Sequence, residues 1–164
     1  MIAAAESVTG GLAADFIVRV PGASRVFWGS FVTYTADAKV RMLGVPEGLI
    51  KKHGEVSKPV ALAMAEGALK KSGSSIAFSV TGLAGPGGDS SAASANTSAK
   101  IPIGTVWIGI AGMGRKTQGS LWSEAKMFCF KGGRNEVRGA AAVAALKEVL
   151  IKLGNDIDRG EILA

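Results

Sequence analysis

The apolar positions of the chain fall into short runs, some continuous as in buried strands and some spaced as on one face of a helix. Residues 2–6 and 26–34 are continuous runs of small, β-branched and aromatic residues, which predicts two strands. Between them, apolar residues recur with helical spacing from Gly10 to about Val20, and Pro21 ends this helix. The pattern up to residue 34 therefore predicts a strand–helix–strand unit.

The rest of the sequence continues this alternation. The same criteria predict helices at 37–43, 46–53, 57–71 and 135–153, and strands at 75–80, 104–112 and about 120–130. Ser57 is expected to cap its helix, and the small polar stretch 89–100 to form a mobile surface loop. We therefore expect one α/β domain over residues 1–164, a three-layer α/β/α fold with a mixed, partly parallel sheet.

Composition argues against several classes of protein. The chain has 164 residues, 48% of them apolar, so it can bury one core, and its apolar runs are too short to cross a membrane. No secretory signal is visible, and the single cysteine fits a reducing compartment, so we expect a cytoplasmic protein. One cysteine (Cys129) and one histidine (His53) argue against a zinc site or a Cys–His pair, so no metal and no cofactor is expected.

The net charge of +6 allows two classes of anionic partner, nucleic acids and small anions such as phosphates. The basic residues are scattered, and the densest pairs, Lys51-Lys52 and Lys70-Lys71, stand at predicted helix ends, where cations are favourable. A solvated face explains this distribution better than a nucleic-acid footprint does.

Three segments follow predicted strands that we expect to run parallel: residues 6–11, residues 33–35 with the nearby Lys39, and residues 81–88. Open α/β sheets bind ligands beyond the carboxyl ends of such strands. If the three strands are neighbours, hydroxyls, a lysine, a tyrosine and several glycines meet at one edge of the sheet.

Ser7, in the stretch AAESVTGG, has two explanations. In the first, Ser7 is a nucleophile on a tight turn where backbone amides hold an oxyanion. In the second, Ser7 or Thr9 is simply the N-cap of the helix, and the sequence pattern alone favours this second explanation. Lys39 has apolar neighbours in sequence and would serve as the base if desolvation lowered its pKa enough to leave it neutral. The other explanation of Lys39 is an ordinary solvated helix lysine.

Two further features suit a phosphate. The glycines of residues 81–88 match neither a P-loop nor a dinucleotide fingerprint, and they either cradle a phosphate or flat ring or form a plain turn. Arg134 and Arg138 stand four residues apart at the start of the last helix, where they meet an anion or form an ion pair with Glu136 or a neighbour.

Taken in order, several stretches resemble the C-terminal domain of the competence/damage-inducible CinA proteins: AESVTGG, FVTYTADAKVRMLGV, GEVSKPVALAMAEGAL, SVTGLAGPGG and PIGTVWIGIAG. The resemblance runs over nearly the whole chain, from Ala5 to the last helix. Stand-alone members of this family act as nicotinamide-nucleotide amidohydrolases. The resemblance therefore implies hydrolysis of the carboxamide of nicotinamide mononucleotide to nicotinic acid mononucleotide and ammonia, by a Ser/Lys mechanism without metal.

The resemblance also implies a role for ten residues. Ser7 would attack the amide carbon, and neutral Lys39 would take the proton from Ser7 and later help ammonia leave. The other eight would bind or position the substrate: Thr9, Gly10 and Gly11 at the turn, Tyr34 lining the pocket, Thr81 and Gly82 facing the substrate, and Arg134 and Arg138 holding the phosphate.

Three departures from the family pattern stand out. Family members usually carry a helix before the A-E-S strand, whereas this sequence starts at Met1; they often have Cys where Val8 stands; and residues 89–100 are longer and richer in Ser and Ala than expected. The first departure keeps open an alternative function, a non-catalytic nucleotide- or phosphate-binding module of the same family. Direct binding of nucleic acid rests on net charge alone, and the oligomeric state, including a homo-oligomer, is left open.

Overall fold

The computed structural model describes residues 1–85, 101–114 and 120–158. Its elements follow in the order β1 (Ile2–Glu6), α1 (Leu12–Val18), a short 3-10 helix (Ala23–Arg25), β2 (Phe27–Val32), α2 (Ala36–Leu43), α3 (Glu47–His53), α4 (Lys58–Ser72), β3 (Ile76–Gly82), β4 (Thr105–Gly114), β5 (Ser120–Cys129) and α5 (Arg134–Asp158). Every predicted strand and helix is present, with ends shifted by a few residues. The predicted mobile loop at 89–100 lies outside the described residues.

The five strands form one sheet in the order β2-β1-β3-β4-β5. β1 runs parallel to both of its neighbours, β2 and β3, whereas β3–β4 and β4–β5 are antiparallel pairs. The predicted mixed, partly parallel sheet is therefore confirmed. Since β1, β2 and β3 are adjacent and parallel, the segments that leave their carboxyl ends meet at one edge of the sheet.

Helices cover both faces of the sheet, which confirms the three-layer α/β/α architecture. Successive residues of a strand point to opposite faces, and β1 divides its alanines accordingly. Ala4 belongs to the core cluster that contains α1 and α5 residues, while Ala3 and Ala5 belong to the cluster that contains α2 and α4 residues. Both layers thus pack on β1, the strand that leads into the turn carrying Ser7.

A close contact between α4 and the end of α2 fixes the helix that carries Lys39. A Cβ atom added at Gly67 of α4 would overlap the backbone carbonyl oxygen of Leu43 in α2. Only glycine allows the two backbones to approach this closely. The position of α2 over the sheet is therefore set by backbone packing as well as by side chains.

Two details differ from the sequence-based predictions. β3 extends to Gly82, so Thr81 and Gly82 belong to a strand and not to the loop predicted over 81–88. Ser57 stands at the N-cap position of α4, but its hydroxyl donates to the carbonyl oxygen of Gly54 instead of accepting from a helix amide. The prediction of a side-chain cap at Ser57 was therefore wrong.

Among the described residues, no helix combines the length and the apolar character that crossing a bilayer requires.

Candidate active site

The turn after β1 is held by the carboxylate of Glu6, which is fully buried. Glu6 accepts hydrogen bonds from the backbone amides of Gly11, Ala13 and Ala14, each at 3.0 Å, and from the hydroxyl of Ser30 at 2.8 Å. The first amides of a helix lack partners within the helix and favour a negative charge. Glu6 therefore caps α1 from the preceding strand.

This arrangement overturns the interpretation of Ser7 or Thr9 as the helix N-cap. The Ser7 hydroxyl contacts Lys39, and the buried Thr9 hydroxyl oxygen finds no hydrogen-bond partner among the described residues. The sequence reasoning missed the role of Glu6. The available signal was an acidic residue directly before a glycine-rich helix start, a position where a carboxylate is electrostatically favourable.

The glycines of the turn have a conformational reason. Gly10 has φ 59° and Gly11 has φ 95°, backbone conformations that side chains with a Cβ rarely adopt. The left-handed turn brings the Gly11 amide back to Glu6 and leaves Ser7 at the carboxyl end of β1. The predicted part of Gly10 and Gly11 in shaping the turn fits this geometry, and their contact with substrate stays a prediction.

Ser7 and Lys39 form the centre of the site. Thr35 caps α2 by accepting from the amide of Ala38 at 3.2 Å, which places Lys39 in the first turn of that helix. Lys39 Nζ donates to Ser7 Oγ over 3.1 Å. The Lys39 side chain is 0% exposed and Ser7 is 7% exposed. The interpretation of Lys39 as a solvated surface lysine was therefore wrong.

The Lys39 ammonium has further partners besides Ser7. It donates to the carbonyl oxygens of Thr33 and Tyr34, at 3.2 and 3.4 Å, at the carboxyl end of β2. It also forms a short ion pair with Glu55, 2.7 Å from Nζ to Oε2. A buried ammonium needs such partners because removing it from water is costly.

Glu55 was not among the predicted site residues. It lies between α3 and α4, and its side chain is 14% exposed. No local pattern distinguishes it from a loop glutamate, because its contact with Lys39 depends on how α2 and the α3–α4 connection pack together. The signal is tertiary and is absent from the sequence alone.

Thr81 and Gly82 act through neighbouring parts of the chain. The Thr81 hydroxyl donates to the backbone carbonyl of Glu55 at 2.9 Å, so β3 holds the segment that carries this carboxylate. A Cβ at Gly82 would lie 2.7 Å from Val106 Cγ2 and 2.8 Å from the Thr105 carbonyl oxygen. Gly82 is thus explained by the close pairing of β3 with β4. A direct contact of either residue with substrate stays a prediction.

The two arginines of α5 reach the same edge of the sheet. Arg138 Nη2 donates to the carbonyl oxygen of Thr9 at 2.9 Å, and Nη1 donates to Asn135 Oδ1 at 3.1 Å. A Cβ at Gly85, just beyond β3, would meet Arg134 Cβ at 3.4 Å. Arg138 thus touches the turn that follows Ser7, and Arg134 packs beside the third strand end.

The predicted alternative for these arginines was an ion pair with Glu136 or a neighbouring residue. The Glu136 carboxylate instead accepts from the amide of Gly133 at 2.7 Å. Within the described ranges, neither Arg134 nor Arg138 forms an ion pair with any carboxylate. The Glu136 pairing was therefore wrong, and both guanidinium groups keep charge to offer an anion.

The Tyr34 side chain lies at the surface, unlike the buried pair of Ser7 and Lys39. The Tyr34 carbonyl accepts from Lys39, but the residue is 55% exposed. Lining of the substrate pocket by Tyr34 stays a prediction.

The turn leaves backbone donors beside Ser7. The Ser7 amide donates to the Val80 carbonyl and the Gly10 amide to the Ser7 carbonyl. The amides of Val8 and Thr9, by contrast, find no acceptor in the described part of the chain. Two neighbouring amides directly after a hydroxyl are the donors that an oxyanion beside that hydroxyl requires.

Two other features lie outside this site. In residues 1–85, 101–114 and 120–154, no three His, Cys, Asp or Glu side chains group closely enough to hold a metal ion. A large open groove of about 1000 Å³ lies on the α3–α4 side, where Leu43, Leu49 and Leu62 are among its lining residues. None of the residues placed around Ser7 lines that groove, so its size does not make it the reactive site.

The fold and these contacts define an α/β protein with a buried Ser–Lys pair at the carboxyl edge of its parallel strands. The chain belongs to the CinA family, because residues 1–153 match the model of the CinA C-terminal domain.

Relatives of known sequence support this membership. A putative competence-damage inducible protein of Symbiobacterium thermophilum is 49% identical over 152 residues, which cover 90% of this chain and 33% of that protein. A CinA-like protein of Chlorobaculum tepidum is 43% identical over 152 residues, which cover 93% of this chain and 34% of that protein. The chain thus spans about a third of the length of these curated relatives.

Solved structures agree with the fold. The competence/damage inducible protein CihA of Agrobacterium tumefaciens superimposes with a TM-score of 0.77 at 41% identity, covering 94% of this chain and 85% of that one. The competence damage-inducible protein A of Klebsiella pneumoniae gives a TM-score of 0.80 at 29% identity, with 93% and 86% coverage. These names specify the family and no reaction.

Proposed function

We propose that this domain hydrolyses the carboxamide of nicotinamide mononucleotide, giving nicotinic acid mononucleotide and ammonia through a Ser7–Lys39 dyad. The observation that carries the proposal is the direct contact between a nearly buried hydroxyl and a fully buried lysine, 3.1 Å from Nζ to Oγ. Because its side chain is fully buried, Lys39 does not serve as a solvated surface charge. It is suited to removing a proton from the hydroxyl it touches.

The reaction proceeds in two steps. Neutral Lys39 takes the proton of Ser7 while Oγ bonds to the amide carbon, and the tetrahedral oxyanion is held by the free amides of Val8 and Thr9. Protonated Lys39 gives its proton to the amide nitrogen as the intermediate collapses, so the carbon–nitrogen bond breaks and the nitrogen leaves as ammonia. Water then attacks the acyl-enzyme with Lys39 as base, which releases nicotinic acid mononucleotide and restores Ser7.

The phosphate of the substrate has a suitable partner at the same edge. Arg138 touches the Thr9 carbonyl of the turn, and Arg134 lies beside Gly85 at the end of the third parallel strand. Guanidinium groups bind phosphate through paired, charge-assisted hydrogen bonds. Binding of the phosphate there would bring the nicotinamide end of the nucleotide toward Ser7.

The decisive experiment measures ammonia release from nicotinamide mononucleotide by the purified protein without added metal. The wild-type chain should release ammonia, and Lys39→Met should abolish the release while keeping the side-chain volume. Lys51→Met is the matched control, because Lys51 is 72% exposed and pairs with Glu47 one turn away on α3. Equal rates for Lys39→Met and wild type would refute the role of Lys39 as the base.

One observation favours a second candidate, a nucleotide-binding module without turnover. The ion pair with Glu55 stabilises the ammonium form of Lys39, which cannot accept a proton from Ser7. This candidate predicts a heat of binding for nicotinamide mononucleotide in calorimetry together with no ammonia at any pH. Ammonia release that depends on Ser7 excludes it.

A further inference from the structure

The ion pair between Lys39 and Glu55 lies beside Ser7, and it bears directly on the protonation of Lys39. Glu55 Oε2 is 2.7 Å from Lys39 Nζ, closer than Ser7 Oγ at 3.1 Å. The mechanism above needs Lys39 without its proton, whereas a carboxylate at this distance favours the protonated form. The same carboxylate therefore decides when Lys39 can work as a base.

We propose that Glu55 is a positioning residue that orients Lys39 toward Ser7 and sets the pH above which Lys39 becomes a base. The proposal rests on the Ser7–Lys39 chemistry of the proposed function, and it is independent of which amide is the substrate. The contact that defines this role is the one between Glu55 Oε2 and Lys39 Nζ. Glu55 acts through Lys39.

The geometry around Nζ explains the orientation. At least four oxygens lie within hydrogen-bond distance of Lys39 Nζ: Ser7 Oγ, Glu55 Oε2 and the carbonyls of Thr33 and Tyr34. A neutral amine has two hydrogens and one lone pair. When Glu55 and the Thr33 carbonyl take the two hydrogens, the lone pair is left for the hydroxyl hydrogen of Ser7. Glu55 thus fixes the rotation of the amine that proton transfer requires.

Glu55 is itself held in place from the sheet. The Thr81 hydroxyl donates to its backbone carbonyl at 2.9 Å, and the hydroxyl of Ser57 fastens the same connection by donating to Gly54. The carboxylate therefore sits on a braced segment between α3 and α4.

The elements around Lys39 carry other ionisable groups. From β1, the Glu6 carboxylate is taken up by the α1 amides and Ser30; from α5, Arg138 donates to Thr9 and Asn135. Tyr34, after β2, presents its carbonyl to Lys39 and keeps its side chain at the surface. Glu55 on the α3–α4 connection is the carboxylate that pairs with Lys39, so its charge is the one that a substitution can test.

The test follows the reactivity of Ser7 with a small alkyl fluorophosphonate instead of with a nucleotide. Ser7 Oγ bonds to phosphorus, fluoride leaves, and Lys39 takes the hydroxyl proton, so the rate reports how much Lys39 is neutral. The rate of mass increase at Ser7 is measured against pH for the wild type, Glu55→Gln, Glu55→Asp and the control Glu47→Gln. Glu47 is 68% exposed and lies on α3, so its variant removes the same charge without touching the site.

A plot of the wild-type labelling rate against pH should rise through a single limb and then reach a plateau. Glu55→Gln should move the midpoint of that limb to lower pH by about one to three units, since the ammonium loses its opposite charge. Its plateau rate should fall, because the ammonium that forms during proton transfer is less stabilised. Glu55→Asp should keep the limb near the wild-type position, and Glu47→Gln should leave both limb and plateau unchanged.

A Glu55→Gln limb that coincides with the wild-type limb overturns the proposal, as does a fall in rate without a shift. If Glu55→Gln fails to fold, Thr81→Val loosens the same carboxylate and should move the limb in the same direction by a smaller amount. No shift in that variant, with the fold intact, overturns the proposal as well.

Parallel measurement of ammonia release separates the two proposals. A shifted labelling limb together with no ammonia from nicotinamide mononucleotide supports the role of Glu55 and removes the proposed substrate. Absence of labelling at Ser7 at every pH overturns both, because Ser7 is then not activated by Lys39.

Discussion

Ser7 Oγ and Lys39 Nζ lie 3.1 Å apart although 32 positions separate the two residues in the chain. The parallel pairing of β1 with β2 brings their carboxyl ends together, and the α2 helix that follows β2 then carries Lys39 over the end of β1. Close packing of Gly67 on Leu43 keeps that helix in place. The pair is thus a product of the fold, and its chemistry depends on the neighbours that hold each partner.

Glu6 should be a major source of stability for the turn. Glu6→Ala leaves the amides of Gly11, Ala13 and Ala14 without their acceptor, and hydrogen bonds to a buried charged group contribute strongly. We expect the free energy of unfolding to fall by about 3 kcal/mol or more. Urea denaturation followed by circular dichroism measures this change.

The control for Glu6 is Glu47→Ala, which removes an exposed carboxylate that pairs with Lys51 at the helix surface. Its effect should stay within about 0.5 kcal/mol. Similar stabilities for the two variants would contradict the capping role of Glu6.

Two helix glycines should respond to alanine in opposite directions. Gly67→Ala forces a Cβ onto the Leu43 carbonyl and should lower the free energy of unfolding by about 1–3 kcal/mol. Gly139→Ala in α5 meets open space and should raise it by up to about 1 kcal/mol, because alanine is the better helix former. Thermal unfolding of both variants gives the comparison, and a stabilised Gly67→Ala would contradict the tight α2–α4 contact.

Replacing two buried threonines by valine should change the free energy of unfolding in opposite directions. In the part of the chain that the structure describes, the buried Thr33 hydroxyl oxygen has no hydrogen-bond partner. Thr33→Val therefore removes an unpaired polar atom and should raise the free energy of unfolding by about 1 kcal/mol. Thr81→Val loses the bond to the Glu55 carbonyl and should lower it by about 1 kcal/mol. Denaturant titration of the pair tests the assignment, and equal losses would show that Thr33 has a partner in solution.

Arg138 should contribute to binding of the substrate's phosphate and not to the reaction at its amide. Arg138→Gln should raise KM for nicotinamide mononucleotide about 10- to 100-fold, the effect of losing a charged hydrogen bond, with a much smaller effect on nicotinamide riboside, which lacks the phosphate. Arg41→Gln is the control, since Arg41 is exposed and pairs with Asp37. Equal effects on both substrates would place the phosphate elsewhere.

The architecture was predictable where it depended on local patterns. The apolar run at Ile2–Glu6, the glycines behind it and the helical spacing after Ser57 identify their elements, and the order of strands and helices suffices for a mixed three-layer fold. The turn glycines, with their positive φ values, were recognisable for the same reason, because their conformation is a local requirement.

The site was only partly predictable, because its key contacts are tertiary. Ser7 and Lys39 were candidates from the strand-end pattern and from the family resemblance, yet the pattern alone favoured a cap and a solvated lysine. Glu55 carries no local signal, and its importance follows from a 2.7 Å contact across 16 positions of the chain. Glu6 is recognisable in the sequence as an acidic residue before the turn, but its role as the cap of α1 depends on where the backbone amides of α1 point.

The most direct measurement is ammonia release from nicotinamide mononucleotide by wild type, Ser7→Ala and the control Ser24→Ala, with circular dichroism showing that each is folded. Ser24 lies on the exposed 3-10 helix after α1, away from the site, and its variant should keep the wild-type rate. Ser7→Ala should lose activity by about a thousandfold or more. Ammonia release at the wild-type rate by folded Ser7→Ala would contradict the role of Ser7 as the nucleophile.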